Sequence, residues 1–534
     1  MGTRRSTVTL MFALALSSGC AGDDGGSSGT SETDATTAGP PTAGSTDGTT
    51  NTSSTGSNTT GGTDTTVTAT ATTTDTTATT DTTATTDTTA TTDTDTATDS
   101  SGSTGGDDDL YEPDEGPSHE GGTIVDVCSE AEILAAIADA TSGDVITVCP
   151  GTFSFNQLIS VNADGEDAAR IFLRAEAPGT VTFNLSHIEN FKISGKFWIF
   201  ENITFFGDCN NANSCEHAFH IVADADDVIF RNNEVVNFAS HVKLNGEIVG
   251  NGPAKSFPDR TWFINNFWHN TKYVENNAPH NILNLDGGKE HVVRGNIFAD
   301  YSAPESLPKS ASAVYPKAST LGMLIEQNLI VCEKARTAGE TNRGIQLGDG
   351  APASICDGDD DQDGNGDCEE NGQNQLATVR NNIVIGCNNG GSSAGIIVGS
   401  DRESWISHNT VYNSEPRNAV FYQGHPDYDT LFRYSVLENG FNTNFANRPL
   451  NEANNITPSL DEMNTIFAAP GDGDFTLADG ANITEQHAAD PEVPHDFCGY
   501  PRGDMADLGA IEYSTTYEGT PCAAIVQEMY DRIP

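Results

Sequence analysis

An asparagine that recurs about every thirty residues constrains the fold of this chain more than any other feature. Each copy follows an apolar pair and precedes another apolar stretch. Successive copies are separated by 31, 33, 30, 32, 54 and 27 residues, and they stand at Asn202, Asn233, Asn266, Asn296, Asn328, Asn382 and Asn409. A period of this length is typical of solenoids, in which each repeat forms one turn of a stacked structure.

Each period contains two or three short strands whose apolar residues alternate, as in Val228-Ile229-Phe230 followed by Val235-Val236, with Asn, Gly and Asp turns between them. This pattern predicts one coil of a parallel β-helix, in which every strand pairs with its counterparts in the coils above and below. An Asn at one fixed place in each coil can stand in a tight turn and donate its amide along the stack. We therefore interpret the seven asparagines as a structural ladder and not as a binding site.

The first coil is preceded by a short predicted helix. Ser129 and Glu132 have the spacing of a capping box, and an apolar helical run extends to about Ala140. A strand follows over 144–149, and cysteines stand on both sides of the helix. This order predicts a helical plug over the open end of the solenoid.

Two further segments lie near the C-terminus, Asp496-Phe497-Cys498-Gly499-Tyr500-Pro501-Arg502 and Asp507-Leu508-Gly509-Ala510-Ile511-Glu512. Together with the capped start and the ladder, they make residues 122–515 resemble the secreted right-handed parallel β-helix proteins of the pectate-lyase-like superfamily. The resemblance covers about three quarters of the chain. It implies an all-β solenoid with a short N-terminal capping helix, an insertion at 349–376 and a C-terminal tail at 516–534. It implies no single activity, because this superfamily hosts lyases, hydrolases, epimerases and adhesins.

Residues 1–20 have the pattern of a signal peptide. Arg4 and Arg5 precede an apolar run from Val8 to Leu16, and small residues follow before Cys20. The ending resembles a lipobox, which implies acylation of Cys20, although its Leu stands one place further from the cysteine than usual. Ordinary cleavage nearby is the alternative. No later stretch has the roughly 20 apolar residues of a membrane-spanning helix, so we expect an extracellular protein held at the cell surface only through its lipid.

Residues 21–121 consist mainly of Thr, Asp, Ser, Gly and Ala, and the hexapeptide TTATTD recurs between Thr76 and Asp93. Such a segment has too little apolar surface to offset about 1 to 2 kcal/mol of backbone entropy per residue. We predict a disordered spacer with a reach of roughly 50 to 60 Å. It would hold the folded domain away from the membrane surface.

The chain is strongly acidic, with a formal net charge of -52. Residues 21–120 contribute 19 carboxylates and no Lys or Arg, and the remainder is acidic as well. Such a field repels nucleic acid, which excludes that class of partner. It also disfavours polyanionic glycans unless divalent cations bridge the charges. We expect a monomer whose partner is an extracellular polysaccharide.

Eleven cysteines stand in this exported chain, and lipidation of Cys20 leaves an even ten. Sequence does not fix their connectivity. Proximity favours five pairs, namely Cys128 with Cys149, Cys209 with Cys215, Cys332 with Cys387, Cys356 with Cys368, and Cys498 with Cys522. Catalytic or zinc-binding cysteines are the alternative, which the absence of any CxxC pair disfavours.

The insertion contains one specific metal motif, D-x-D-x-D-G-x5-E, over residues 359–370. Hard oxygen ligands at these positions, a glycine for the sharp turn and a bidentate glutamate suit Ca²⁺. The predicted ligands are Asp359, Asp361, Asp363, Asn365, Asp367 and Glu370. The motif resembles the EF-hand loop but lacks flanking amphipathic helices, so we expect the ion to order the loop. A solvated acidic loop is the alternative.

Polar residues that alternate with apolar ones predict a strip on one outward sheet face. Within it we assign candidate catalytic roles to Lys243, Asp286, Tyr315, Lys317 and Arg343, and candidate substrate-binding roles to His241, Asn245, Asn284 and Gln346. A lyase acting on a uronic acid needs a base, a group that neutralises the carboxylate and a proton donor. Lys243 or Lys317 could be the base, Arg343 could face the carboxylate, and Tyr315 or His241 could be the acid. Nearby carboxylates, however, favour the charged form of a lysine and make it a poorer base.

Family patterns leave the function open. The neighbourhood of Lys243 resembles lyases of the chondroitinase B and alginate type, but 284–288 reads NLDGG where those enzymes place an Arg-His pair. The clustered Asp residues of polygalacturonases are also not visible. We therefore hypothesise a non-catalytic, adhesin-like protein that binds extracellular polysaccharide. The alternatives are a polysaccharide lyase or other glycan-processing enzyme, and a purely structural envelope protein.

Overall fold

The computed structural model describes residues 115–209, 214–247, 256–307, 309–335, 341–348, 373–414, 416, 418–422, 429–443, 450–513 and 519–534. The signal peptide, Cys20, most of the predicted spacer, the 359–370 motif and the Cys356–Cys368 pair lie outside these residues. Among the described residues, no helix is long and apolar enough to cross a membrane.

Three long parallel sheets make up the described fold, and the chain visits them in the order A, B, C once per coil. Sheet A has twelve described strands, which are Thr123–Val127, Asp144–Val148, Ile171–Ala175, Trp198–Glu201, Ile229–Arg231, Trp262–Ile264, Val292–Arg294, Leu324–Glu326, Thr378–Arg380, Trp405–Ser407, Leu431–Arg433 and Asn451–Ala453. Sheet B has ten, which are Gly151–Phe155, Val181–Leu185, Ile203–Gly207, Glu234–Val236, Phe267–His269, Ile297–Ala299, Leu329–Val331, Ile383–Ile385, Thr410–Tyr412 and Val436–Leu437.

Sheet C also has ten described strands, which are Ile159–Val161, Glu189–Ile193, His217–Val222, Ser240–Asn245, His280–Asp286, Ala311–Lys317, Asn342–Leu347, Ala394–Val398, Val420–Tyr422 and Phe441–Thr443. A small parallel sheet between sheets C and A is formed by Thr320–Leu321, Asn374–Gln375 and Asp401–Arg402. Because every long sheet is parallel and each coil adds one strand to each, the architecture is the predicted parallel β-helix.

The interior is filled by the inward residue of each strand. Phe183, Phe191, Phe200, Phe205 and Phe219 are fully buried, and Phe200 stacks on Phe230 at 5.0 Å between ring centroids. Stacking similar rings coil upon coil makes one continuous apolar core, which a single coil could not bury alone.

The asparagine ladder runs along the turn between sheets A and B. The side-chain Oδ1 of each member accepts the backbone N–H of the ladder residue one coil earlier, at 3.0 to 3.1 Å. Six predicted members form this line, namely Asn233, Asn266, Asn296, Asn328, Asn382 and Asn409. The prediction was wrong for Asn202, which has a φ of 65° and lies at the preceding left-handed turn position. Ile203 occupies the ladder position there and donates its N–H to Asn233.

The N-terminal plug is the helix Glu130–Ala138, two residues shorter than predicted. Ser129 accepts the N–H of Glu132, whereas the Glu132 carboxylate accepts the N–H of Cys128. A disulfide between Cys128 and Cys149 ties the helix to the first coil. Three other described disulfides join Cys209 to Cys215, Cys332 to Cys387, and Cys498 to Cys522. All four are pairs that proximity favoured.

The C-terminal part differs from the expected continuous solenoid. Sheet A ends at Asn451–Ala453, and the following residues form a cap. It contains the helices Leu460–Ile466 and Cys522–Asp531, the 3₁₀ turn Pro470–Asp472, and two antiparallel pairs, Phe467–Ala469 with Asp474–Leu477 and His487–Ala488 with Met505–Ala506. The predicted tail therefore holds a packed helix, because Tyr530 is buried and donates its hydroxyl to the Gly471 carbonyl.

Candidate functional site

The outward face of sheet C carries the predicted polar residues in register. Lys243 pairs with Asn284, and Asn284 pairs with Tyr315. Beside this row, Asn245 pairs with Asp286 and Asp286 with Lys317. Their apolar neighbours Val242, Leu244, Leu283, Leu285, Val314, Ile345 and Leu347 are fully buried. Period-two alternation therefore puts the polar set on the side of sheet C that points away from the core, although four of its members, Asn284, Asp286, Lys317 and Gln346, are buried there. We call Lys243, Asn245, Asn284, Asp286, Tyr315, Lys317 and Gln346 the sheet C strip.

Asp286 is the centre of the strip. One carboxylate oxygen pairs with the Lys243 ammonium, and the other lies 2.6 Å from Lys317 Nζ. Lys317 also donates to Asn284 Oδ1 at 3.0 Å and lies 4.7 Å from the centre of the Tyr315 ring. The Asp286 side chain is only 3 % exposed. One carboxylate thus holds two cations in a largely dry cluster.

Burial lowers the pKa of Lys243 below its usual range. The neighbouring charge of Lys317 acts in the same direction, and Asp286 opposes both. Desolvation therefore outweighs the attraction of the carboxylate, whereas the argument from sequence considered only that attraction. The side chain keeps 18 % of its surface exposed. A lysine with a lowered pKa on the outward side of a sheet is a candidate general base.

A second polar group lies in the next coil of the same sheet. Gln346 Oε1 accepts from Arg343 Nη1 at 2.7 Å and from Ser312 Oγ at 3.0 Å. Arg343 is half-buried, and its strand pairs with that of Tyr315. Arg343 itself pairs with Ser312, three residues before Tyr315, and its strand lies three strands from that of Lys243, or about 14 Å along the axis. The predicted base and the predicted carboxylate-binding group therefore share sheet C but do not lie side by side.

Two further residues extend the row, and the sequence reasoning gave them no role. His220 pairs with Lys243 in the sheet, and its Nε2 lies 2.8 Å from Asn245 Oδ1. Burial lowers the pKa of His220, which favours its neutral ring. Lys192 pairs with His220 and is exposed. The same strand alternation that identified Lys243 would have found Lys192 if counted one coil further back.

His241 does not belong to the strip. It is fully buried between Phe238 and Trp268, and its Nε2 lies 3.3 Å from the His269 carbonyl. Burial lowers its pKa to about 3. The alternation breaks here because His241 and Val242 are both buried. The predicted role as an acid or substrate-binding group was therefore wrong, since substrate cannot reach this ring.

The described residues contain one cluster with metal-ligand chemistry, formed by Asp496, Cys498 and Cys522. Its two cysteines are joined in a disulfide, so they offer no thiolate to a metal. The predicted calcium ligands lie outside the described residues, and calcium binding there stays a prediction.

Comparison with known proteins finds similar structures. No protein-family model and no curated protein matches the chain. A crystal structure of pectate lyase Pel9A is 15% identical with a TM-score of 0.48, covering 71% of this chain and 90% of that one. An alginate lyase from Paenibacillus sp. str. FPU-7 is 12% identical with a TM-score of 0.38, covering 62% and 99%. A rhamnogalacturonan lyase is 14% identical with a TM-score of 0.35, covering 71% and 89%. The likeness is one of fold.

Proposed function

We propose that this protein is a polysaccharide lyase that cleaves a uronic-acid polysaccharide by β-elimination on the outward face of sheet C. The observation that carries the proposal is the cluster in which Asp286 pairs with both Lys243 and Lys317 on the outward face of sheet C, where burial also lowers the pKa of Lys243. A lowered pKa favours the neutral amine that a general base needs.

In the proposed reaction the neutral Lys243 amine removes the proton at C5 of the uronate. The electron pair of that C–H bond forms the C4–C5 double bond, and the C4–O4 glycosidic bond breaks. The leaving oxygen takes a proton from the Tyr315 hydroxyl, which lies two strands from Lys243 on the other side of Asn284. Lys317, which shares Asp286 with Lys243, faces the uronate carboxylate and stabilises the negative charge that develops on it. Arg343, three strands from Lys243, binds the carboxylate of a neighbouring sugar.

Asp286 positions the cations. Because it pairs with both lysines, it holds their ammonium groups on the same side of the strip. Asn245 is partly exposed and offers an amide group beside them for a sugar hydroxyl, whereas the buried Asn284 and Gln346 hold Lys317 and Arg343 in place. We further propose that acylation of Cys20 and the Thr/Asp spacer hold the domain at the cell surface. Ca²⁺ bound by residues 359–370 would order the insertion.

The test is turnover of defined glycans by the purified full-length chain. We expect polygalacturonate, alginate or a glycosaminoglycan to yield an unsaturated uronate that absorbs in the ultraviolet. Lys243→Met removes the base and is expected to abolish this product while the thermal midpoint stays within a few degrees. Lys289→Met is the matched control, because Lys289 is exposed and lies outside the strip, and it should turn over like the wild type.

A non-catalytic glycan-binding protein is the second candidate, and one observation favours it. Asp286 already pairs with both lysines, so the strip is close to charge balance without a substrate. If none of these glycans gives an unsaturated product, but one binds and Lys243→Met weakens that binding, the lyase proposal is wrong and the binding function stands.

A further inference from the structure

The outward face of sheet A carries a single row of mostly apolar side chains, one from each coil. Strand register places them in line as Ile124, Val145, Phe172, Ile199, Ile229, Trp262, Val292, Leu324, Thr378, Trp405 and Leu431. We call this line the sheet A row. It lies on a different sheet from the sheet C strip, and none of its residues takes part in the proposed elimination.

The chain itself covers the first half of the row. Residues 115–119 run over it, with the His119 ring edge-on to Phe172 at 6.1 Å between centroids. Arg231 donates to the carbonyl of Glu115 at 2.8 Å, and Asn265 donates to the Glu115 carboxylate at 2.8 Å. Beneath this segment Val145, Phe172, Ile199 and Ile229 are buried. The upstream row is therefore ordinary core.

The second half of the row is partly exposed in six successive coils, at Trp262, Val292, Leu324, Thr378, Trp405 and Leu431. The chain has four tryptophans, and two of them stand here. The other two, Trp198 and Trp268, are fully buried. Both rings are partly packed, Trp262 against the buried half of the row and Trp405 against Arg433, and each keeps some aromatic surface in solvent that is open to a ligand.

Hydrogen-bonding groups border the exposed half. At its upstream end a pocket of about 280 Å³ is lined by Trp262 and Val292 and by the charged residues Arg170, Arg260, Asp227 and Glu290. Arg260 forms a bidentate pair with Asp227 at 2.8 and 2.9 Å. The pocket thus joins an aromatic ring to planar polar groups, which suits a ligand with an apolar face and hydroxyls at its edge.

A charged row runs along the other side. Arg294 and Arg380 flank Glu326, with 2.5 and 2.6 Å between the paired atoms. Further along, Arg433 pairs with Asp490 at 2.9 Å and lies over the Trp405 ring at 4.6 Å. The exposed apolar stripe is consequently only one side chain wide.

We propose that the exposed half of the sheet A row binds a polysaccharide chain laid along the helix axis, as an accessory site remote from the sheet C strip. Trp262 and Trp405 would stack on sugar rings, and the bordering Arg and carboxylate groups would bind hydroxyls. The two rings are four coils apart, or about 19 Å at about 4.8 Å per coil, so the occupant spans several sugars. This inference rests on the proposed function only for the class of ligand, a polysaccharide.

The width of the stripe favours a polysaccharide over a protein partner. A stable protein interface buries about 800 Å² on each side over some 20 to 30 residues. The sheet A row offers six partly exposed side chains in one file, with ion-paired side chains on both flanks. A linear glycan is one ring wide and needs no broader surface.

The experiment measures retardation of the full-length chain in gels that contain polygalacturonate, alginate or xyloglucan, together with the tryptophan fluorescence of each mixture. All variants carry Lys243→Met so that no probe is degraded. We expect Trp262→Ala and Trp405→Ala each to weaken binding of at least one probe by about threefold to tenfold, and the double variant to weaken it further. Trp262→Phe with Trp405→Phe keeps an aromatic face and should retain most of the binding.

Two further variants distinguish loss of this site from misfolding and from changes at the sheet C strip. Leu158→Ala removes an exposed apolar side chain outside both surfaces and should bind like the parent. Thr378→Arg leaves both tryptophans in place but blocks the middle of the stripe, so it should weaken binding even if the alanine variants misfold. The proposal is overturned if folded tryptophan variants and Thr378→Arg bind every probe as the parent does. Loss of turnover by Lys243→Met with unchanged gel retardation would support both sites independently.

Discussion

The outward faces of sheets A and C differ although one chain builds both in the same coils. Both sheets turn apolar residues inward, such as Phe230 in sheet A and Leu244 in sheet C. Outside, sheet C presents a cluster in which Asp286 binds two lysines, whereas sheet A presents tryptophans in an apolar row.

Comparing the two faces shows which residues the fold requires to repeat in every coil. Inward residues and the ladder asparagines must repeat, because each coil can be buried only by similar neighbours. Outward residues are free of this requirement, so a buried charge cluster on one face and partly exposed tryptophans on the other can differ without disturbing the stack. The four predictions below test how far the two faces differ, from the largest expected effect to the smallest.

The largest effect is expected from Asp286→Ala. It leaves Lys243 and Lys317 side by side without their shared carboxylate in a largely dry site, and removing one partner of a buried ion pair typically costs about 3 to 5 kcal/mol. Leu324→Ala on sheet A should cost less, because Leu324 is partly exposed. Urea unfolding of both variants measures the free energies. Equal losses would show that the charge cluster is no more structural than the apolar row.

The sequence predicted the solenoid because the spacing of the ladder asparagines equals the length of one coil. It failed at Asn202 because the ladder position and the left-handed turn position are adjacent and both suit asparagine. It placed the sheet C strip on one face because strand alternation is local. It could not give the pKa of Lys243, since burial comes from neighbouring coils more than thirty residues away.

One buried histidine in each region makes stability depend on pH. Burial lowers the pKa of His241, in sheet C, to about 3 and that of His291, next to sheet A, to about 4, from 6.5. The unfolded chain therefore binds protons more readily, so stability is full above about pH 6.5 and falls by about 1.4 kcal/mol per pH unit for each ring as pH decreases. The His241 contribution should continue to fall to about pH 3, and that of His291 only to about pH 4.

The free energy of unfolding of His241→Gln and of His291→Gln is measured across this pH range. The decrease in its slope against pH, relative to the wild type, gives the contribution of the replaced ring. Asp496 has the opposite sign, because burial raises its pKa to about 6 and protonation then favours the folded state. It is present in all three proteins and cancels in the comparison. Variants whose stability changes with pH as steeply as the wild type would show that neither ring is kept neutral by the fold.

The pH dependence of turnover should respond to the sheet C cluster alone. Because the pKa of Lys243 is lowered, its neutral amine becomes populated at a pH below 10.5, and kcat/KM rises with it. Asp286→Asn removes the group that raises this pKa and should move the rise to lower pH, whereas Lys317→Gln should move it to higher pH. Trp405→Ala on sheet A should leave the profile in place. A profile unchanged by both substitutions would exclude Lys243 as the base.

The smallest effect on stability is expected from removing Ca²⁺, because the predicted site lies in the insertion between a sheet C strand and a sheet A strand. The insertion links the sheet C strand Asn342–Leu347 to the sheet A strand Thr378–Arg380, and both are held in the coil by parallel pairing on each side. Ordering a loop between paired strands adds little to stability, so chelation should lower the thermal midpoint by only a few degrees while calorimetry detects one bound Ca²⁺. Asp361→Ala removes a ligand of the motif and should abolish that binding, whereas Asp360→Asn changes a neighbouring carboxylate at a non-ligand position and should preserve it. If Asp360→Asn weakens binding as much as Asp361→Ala, the loop attracts cations only through its overall charge and the motif is not a calcium site.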